Sequence, residues 1–124
     1  MISLAAFPIH ELIVADQATL RRALPIDAGG VRSRRLFKSD DVAIVGVAMD
    51  TGAVMRDHSA QAPLLIHVIE GRGAVQVRGT RVELPAGGLL HVESGLRHGV
   101  EAFEPMRFLL LLLLGSAGVS ARRS

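Results

Sequence analysis

From residue 42 onward, the chain is a series of short apolar segments separated by turns that contain glycine or proline. Residues 42–49 form one such segment and end at the turn Asp50-Thr51-Gly52. Residues 74–78 and 81–84 alternate apolar and polar side chains on either side of Gly79-Thr80, as the two strands of a hairpin do. Many short strands at close spacing are typical of a β-sandwich or barrel. The sequence therefore predicts an all-β domain.

The 124 residues suffice for one domain with a single core. Residues 16–24 begin with a capping Asp16 and stop before Pro25, which predicts one short helix. Residues 31–41 are rich in arginine and form either a solvated edge or loop, or an anion-binding rim. We predict residues 1–41 to be an N-terminal segment whose helix packs on a barrel, residues 42–114 to be the barrel, and residues 115–124 to be a flexible tail.

The composition excludes several classes of function. With no cysteine, the chain has no disulfide, thiolate nucleophile, zinc ribbon or iron–sulfur cluster, so a metal ion would need histidine, carboxylate or amide ligands. A net charge of +2 is too weak to indicate nucleic acid. The longest apolar run, residues 108–114, is far shorter than the roughly 20 residues that span a bilayer. Because no signal peptide is recognisable, we expect a cytoplasmic protein without membrane contacts.

Residues 109–114 are six consecutive leucines and predict a strand without a polar face. Such a strand must be covered on both sides, by the barrel interior and by a second surface. That second surface is either a homodimer interface or residues 1–41, and the sequence does not choose between them.

Two histidines lie in motifs that resemble those of the small single-domain cupin family. Gly52 precedes His58 and Gly71 closes the apolar run that follows it; in the second motif, Gly87, Gly95 and His98 stand at the family's spacing. The chain departs from the family pattern at three positions. Position 60 is alanine instead of a second histidine, position 64 is leucine instead of glutamate, and position 93 is glutamate instead of proline.

The resemblance implies a jelly-roll β-barrel, also called a double-stranded β-helix, in which His58 and His98 converge inside the barrel. It implies a partial site for a divalent metal ion such as Zn, Ni, Mn or Fe, with His58 and His98 as ligands. Two imidazoles alone bind such ions weakly, since stable sites usually present three protein ligands. Gln61 offers an amide oxygen as a third ligand, and Glu93 and Glu101 offer carboxylates from the His98 side, although none of them stands at the motif position of the missing glutamate.

The pocket that this barrel would enclose is predicted to be mostly apolar. We predict that its occupant is a small organic molecule bound by His58, Gln61, Leu64, Ile66 and His98. Its ligand would have an aromatic or aliphatic body and one carboxylate or carbonyl group facing the histidines.

The remaining histidines are weaker candidates. His67 lies on the apolar strand at an odd offset from Leu64, so alternation along a strand predicts that it points away from the pocket. The direction of His91 is left open by the sequence.

Three functional classes follow. The first is a small-molecule-binding cupin with a partial metal site, which is the preferred interpretation. The second is a metal-dependent cupin enzyme of the dioxygenase or isomerase type. The third is a structural or regulatory dimer with a vestigial pocket. Fold alone does not decide among them, because one fold supports many chemistries.

Overall fold

The computed structural model of the protein describes residues 10–115. The predicted tail lies outside the described residues except for Gly115. Within the described range, one short α-helix precedes nine β-strands. The elements are α1 (Gln17–Ala23), β1 (Val31–Lys38), β2 (Val42–Met49), β3 (Val54–His58), β4 (Leu64–Glu70), β5 (Gly73–Val77), β6 (Thr80–Leu84), β7 (Leu89–Val92), β8 (His98–Ala102) and β9 (Met106–Leu113).

The strands form two antiparallel sheets that face each other, so the predicted all-β jelly-roll class is confirmed. One sheet has the order β1-β2-β9-β4-β7 and the other the order β3-β8-β5-β6. The core between them is filled by aliphatic side chains and one phenylalanine, as expected for a chain with few aromatic residues. Its largest buried members are Phe108, Met49, Ile66, Met106, Val47 and Val68.

The leucine-rich strand β9 divides its side chains between the two faces of the five-stranded sheet. Phe108 and Leu110 are buried in the core, whereas Leu109 and Leu111 lie on the outer face and are partly buried. Helix α1 covers part of that outer face, because Leu20, Leu24 and Ala48 form a second apolar cluster against which Leu109 packs. The N-terminal segment therefore shields one end of the leucine face. The homodimer interface, the other cover that the sequence left open, stays a prediction.

Helix α1 forms where the sequence predicts it. Asp16 caps the helix, and its carboxylate accepts a hydrogen bond of 2.8 Å from the backbone N–H of Thr19. Arg107 on β9 anchors the end of the helix, since its Nε donates to the carbonyl oxygen of Leu24 at 2.7 Å and its Nη1 lies 2.9 Å from Glu70 Oε2. The same carboxylate accepts a hydrogen bond from Arg21 of the helix at 2.8 Å. One glutamate thus connects the helix to two strands of the sheet.

Strand β1 lies inside the segment that was predicted to precede the barrel. Among the strands of residues 10–115 it pairs with β2 alone and forms one edge of the larger sheet. Its residues 31–35 are exposed, including Arg32, Arg34 and Arg35. Charged side chains of this kind protect an edge strand from pairing with other chains.

The β5–β6 hairpin is confirmed, although its turn is Arg78-Gly79 instead of the predicted Gly79-Thr80, because Thr80 is already the first residue of β6. Val77 pairs with Thr80 across a two-residue turn in which Arg78 and Gly79 both have positive φ, as a type I′ turn requires.

No helix within residues 10–115 combines the length and the apolar character that crossing a membrane demands.

Candidate histidine site

The structure brings His58 and His98 together on two neighbouring strands. They are direct partners in the antiparallel pairing of β3 and β8, and β3 departs from regular register between Met55 and His58. The centroids of the two imidazole rings are 4.3 Å apart, and the ring planes are inclined by 58°. Residues far apart in sequence thus form a two-imidazole site at one end of the smaller sheet.

His98 is fully buried, and one of its ring nitrogens has no hydrogen-bond partner. Its Nδ1 lies 3.1 Å from the carbonyl oxygen of Leu96. Because a carbonyl oxygen only accepts, this contact is a hydrogen bond when Nδ1 carries the proton. In the neutral ring, Nε2 is then an unprotonated acceptor. This Nε2 is buried and has no partner within the described part of the chain.

His58 has the same tautomer preference but a different environment. Its Nδ1 lies 3.1 Å from the carbonyl oxygen of Arg56, which again favours a proton on Nδ1 and a lone pair on Nε2. The residue is exposed, whereas His98 has 0% of its surface exposed. When both rings carry their proton on Nδ1, the site holds two Nε2 acceptors, one on an exposed residue and one buried.

Burial is the main reason that the pKa of His98 lies below its ordinary value of 6.5. The bond to the Leu96 carbonyl and the charge of Asp57 act in the opposite direction, while repulsion from His58 adds to the lowering. The neutral form of His98 is thus the form that the fold accommodates.

This shift gives a prediction for the pH dependence of stability. Below its ordinary pKa of 6.5, His98 takes up a proton in the unfolded chain before it does so in the folded protein. The free energy of unfolding should therefore fall as the pH is lowered through 6.5 toward the depressed folded pKa. Urea unfolding at several pH values between about 8 and about 5 measures this slope. The His98→Leu variant should lose most of this pH dependence. If the variant keeps it unchanged, the lowered pKa of His98 is not its cause.

The other residues predicted to bind a ligand have different surroundings. Leu64 and Ile66 point into the core, with 2% and 1% of their surfaces exposed. Gln61 is exposed, and its backbone carbonyl accepts a hydrogen bond of 2.8 Å from Ser94 Oγ. The two aliphatic side chains belong to the apolar interior, and Gln61 lies on the loop beside it. Their contact with a ligand stays a prediction.

The residues present do not make up a complete metal site. No group of three or more histidine, cysteine, aspartate or glutamate side chains within residues 10–115 is arranged to hold a metal ion. Two of the three positions that differ from the family pattern, Ala60 and Leu64, explain why. Ala60 packs against the core cluster, and Leu64 is buried between Val92 and Leu112, so apolar groups stand where further ligands would be. Two imidazoles and an apolar wall do not fit a resident ion, which ordinarily has three protein ligands.

His67 and His91 both lie on the outer face of the larger sheet. The side chains on β4 alternate so that Leu64, Ile66 and Val68 are buried and His67 is only partly buried, which confirms the predicted direction of His67. His91 is exposed and pairs with Leu65, an outward-facing residue. Neither histidine belongs to the site formed by His58 and His98.

A groove on the outer face of the smaller sheet was missed by the sequence analysis. It has a volume of about 480 Å³, and its lining includes Asp57, Arg97 and Gly99, which directly neighbour the two histidines in sequence. The full lining is Val54, Met55, Arg56, Asp57, Gln76, Arg97, Gly99, Val100 and Glu101. Alternation along β8 was the available signal, since residues on either side of an inward-facing His98 must face outward.

The two facing antiparallel sheets and the histidine pair define the class of protein as a double-stranded β-helix barrel. The family model described as "Cupin domain" matches residues 46–112, more than half of the chain, so the chain belongs to the cupin-domain family. No curated protein matches its sequence.

Solved structures agree with this fold. A conserved protein of unknown function from Streptococcus pyogenes is 21% identical, with a TM-score of 0.72 over 85% of this chain and 90% of that one. KdgF from Halomonas sp. is 22% identical, with a TM-score of 0.65 over 75% of this chain and 86% of that one. Salicylate 1,2-dioxygenase from Pseudoaminobacter salicylatoxidans, solved with gentisate, is 16% identical, with a TM-score of 0.66 over 73% of this chain and 27% of that one. At these identities the likeness concerns the fold alone.

Proposed function

We propose that this protein binds a small organic molecule at the His58–His98 site and that the ligand donates a hydrogen bond to His98. The observation that carries the proposal is the buried Nε2 of His98, which has no partner in the described chain. An unpaired buried acceptor costs about 1–3 kcal/mol of stability. A ligand that supplies the missing donor regains this free energy on binding.

The tautomers of the two histidines change the polar group that the ligand is expected to present to them. With Nδ1 of both rings donating to backbone carbonyls, each Nε2 presents a lone pair. A lone pair repels a carboxylate or carbonyl oxygen and accepts from a hydroxyl or N–H group. The matching ligand therefore has an apolar body, which suits the neighbouring aliphatic core, and one hydroxyl or N–H donor.

Access to His98 requires a movement of His58. Since His98 has no exposed surface, a ligand reaches its Nε2 only after a neighbouring group is displaced. His58 is exposed, lies on an irregular strand and contacts the His98 ring directly. Rotation of the His58 side chain opens the route, so His58 acts as both a second acceptor and a cover.

Members of the cupin family often bind metal ions, and the proposal assigns this protein no resident ion. Among residues 10–115, no third histidine, cysteine, aspartate or glutamate joins the two histidines in a metal-binding group, which disfavours the metal-dependent enzyme. Elemental analysis of the untagged protein, purified without chelator, is expected to find metal well below one ion per chain. Near-stoichiometric metal that disappears in both His58→Ala and His98→Ala would overturn this assignment and favour the enzyme.

The cytoplasmic location expected from the sequence is kept as part of the proposal.

Phenol and anisole form a matched pair of probes for the hydrogen bond. Both have an aromatic body, but only phenol has an O–H donor. Phenol should raise the melting temperature of the wild type more than anisole does, because a ligand that binds only the folded state stabilises it. Equal shifts of the melting temperature with the two compounds would show that the site does not accept a hydrogen bond from the phenol O–H group.

Replacing His98 by leucine tests the residue itself. The variant removes an unpaired buried acceptor and also one hydrogen bond, so its free energy of unfolding at neutral pH should stay within about 1 kcal/mol of the wild type. It should nevertheless lose the difference between phenol and anisole. The matched control is His67→Leu on the outer face of the sheet, which should keep that difference. A large loss of stability in His98→Leu would indicate a structural role for His98.

A further inference from the structure

We infer that the groove on the outer face of the smaller sheet is a second binding site, which takes a small hydroxy acid through Arg56 and Arg97. The groove has a volume of about 480 Å³, within the range of sites for small organic molecules. It lies on the opposite side of the β3–β8 pair from the inward-facing His98, so this inference goes beyond the function proposed above.

The two sites lie back to back on the β3–β8 pair. Arg97 and Gly99 flank the inward-facing His98 in sequence and line the outer groove, as alternation along a strand requires. Asp57, which precedes His58, lines the groove as well. The charged side chains next to the histidines are thus separated from the barrel interior by the strands themselves.

The charges that line the groove favour an anion. Arg56 and Arg97 are exposed and form no ion pair with any residue in the described range. Of the two carboxylates in the lining, Glu101 is already paired with Arg81 at 3.3 Å. Two guanidinium groups are left facing one carboxylate, that of Asp57. Arginine recognises carboxylates through two parallel N–H donors, so a carboxylate group on the ligand fits the pair.

Asp57 and Gln76 supply the second element of recognition. Neither side chain has a hydrogen bond within the described part of the chain, and both line the groove. A carboxylate and an amide oxygen accept hydrogen bonds, which a hydroxyl group on the ligand donates. The exposed Val54, with 58% of its surface accessible, offers an apolar contact beside them.

Gly99 leaves room for Asp57 to approach strand β8. A Cβ atom at residue 99 would lie 2.7 Å from Asp57 Oδ1 and 3.0 Å from the carbonyl oxygen of Met55. Residue 99 is not among the glycines with positive φ, so its lack of a side chain serves the close approach of β3. The glycine allows the Asp57 carboxylate to lie against β8 at the floor of the groove.

Mandelate is the probe, because it combines a carboxylate, a hydroxyl group and an apolar ring. Its matched controls are phenylacetate, which lacks the hydroxyl group, and 1-phenyl-1,2-ethanediol, which lacks the carboxylate. Binding is followed in the wild-type protein by the backbone amide resonances of Gln76, Arg97 and Gly99 at constant ionic strength. Mandelate at millimolar concentration should shift these resonances more than either control does.

The arginine variants decide whether the groove holds the carboxylate. Arg56→Gln combined with Arg97→Gln should weaken mandelate binding about tenfold or more. Each substitution removes charge-assisted hydrogen bonds from a guanidinium group to the mandelate carboxylate. The matched control is Arg34→Gln combined with Arg35→Gln, which removes two exposed arginines from the edge strand β1 and should leave binding unchanged. The Arg56→Gln, Arg97→Gln variant should keep the difference between phenol and anisole, because neither arginine side chain contacts the histidine pair, so failure at this site and failure at the histidine site are distinguishable.

Three results would overturn the inference. The first is the absence of mandelate shifts at the three groove amides, and the second is unchanged affinity in the Arg56→Gln, Arg97→Gln variant. The third is equal shifts with phenylacetate and mandelate, which would leave Asp57 and Gln76 without a role.

Discussion

Replacing Gly71 by alanine should destabilise the protein by about 3 kcal/mol or more. Gly71 closes the first cupin motif and has a φ of +83°, a conformation that side chains rarely adopt. An added Cβ would meet the carbonyl oxygen of Pro105 and lie 2.6 Å from the Cα of Met106. These are backbone atoms, so the collision cannot be relieved by rotating a side chain. Urea unfolding monitored by circular dichroism measures the loss.

Gly52→Ala is the matched control for this prediction. Gly52 has a nearly identical φ of +80°, but an added Cβ would have no atom within 4 Å. Its substitution should cost only the backbone strain, about 1 kcal/mol. Equal losses in the two variants would mean that the Pro105–Met106 turn does not press against Gly71 in solution.

Replacing Phe108 by alanine should destabilise the protein by about 3–5 kcal/mol. Phe108 is fully buried and pairs with Val47 on one side and Val68 on the other, at the centre of the larger sheet. Since few aromatic residues fill this core, smaller neighbours cannot close the cavity without moving both strands. The free energy of unfolding, compared with the wild type, reports the effect.

Leu111→Ala on the same strand is the control for Phe108. Leu111 faces outward and is partly buried, so its loss should cost about 1 kcal/mol in a monomer. If a second copy covers this face, the loss will instead depend on protein concentration. If Phe108→Ala lowered the free energy of unfolding by no more than Leu111→Ala does, Phe108 would not lie in the core as described.

Much of the fold was predictable because it depends on local patterns. Asp16 and Pro25 mark the ends of the helix, and alternation around Gly79 marks the hairpin. The pairing of His58 with His98 followed from the resemblance of their two motifs to those of one family. These features need no knowledge of the tertiary contacts.

The features that were not predictable depend on contacts between distant residues. Residues 31–41 were predicted to be a solvated edge or loop, or an anion-binding rim, and their basic composition did not reveal that residues 31–38 form a strand paired with β2. The tautomer of His98 follows from the position of the Leu96 carbonyl, which composition does not reveal. The approach of Asp57 to Gly99 results from the irregularity of β3, and no spacing rule predicts that irregularity.

The most direct test of the account is a long-range ¹H–¹⁵N spectrum of the histidine side chains, recorded at neutral pH after treatment with chelator and during titration with phenol. The account predicts that His98 carries its proton on Nδ1, that its Nε2 is an unprotonated nitrogen, and that phenol shifts this nitrogen while those of His67 and His91 stay unchanged. A proton on Nε2 of His98, or an Nε2 resonance that phenol does not move, would contradict the claim that this buried nitrogen is the acceptor of a ligand site.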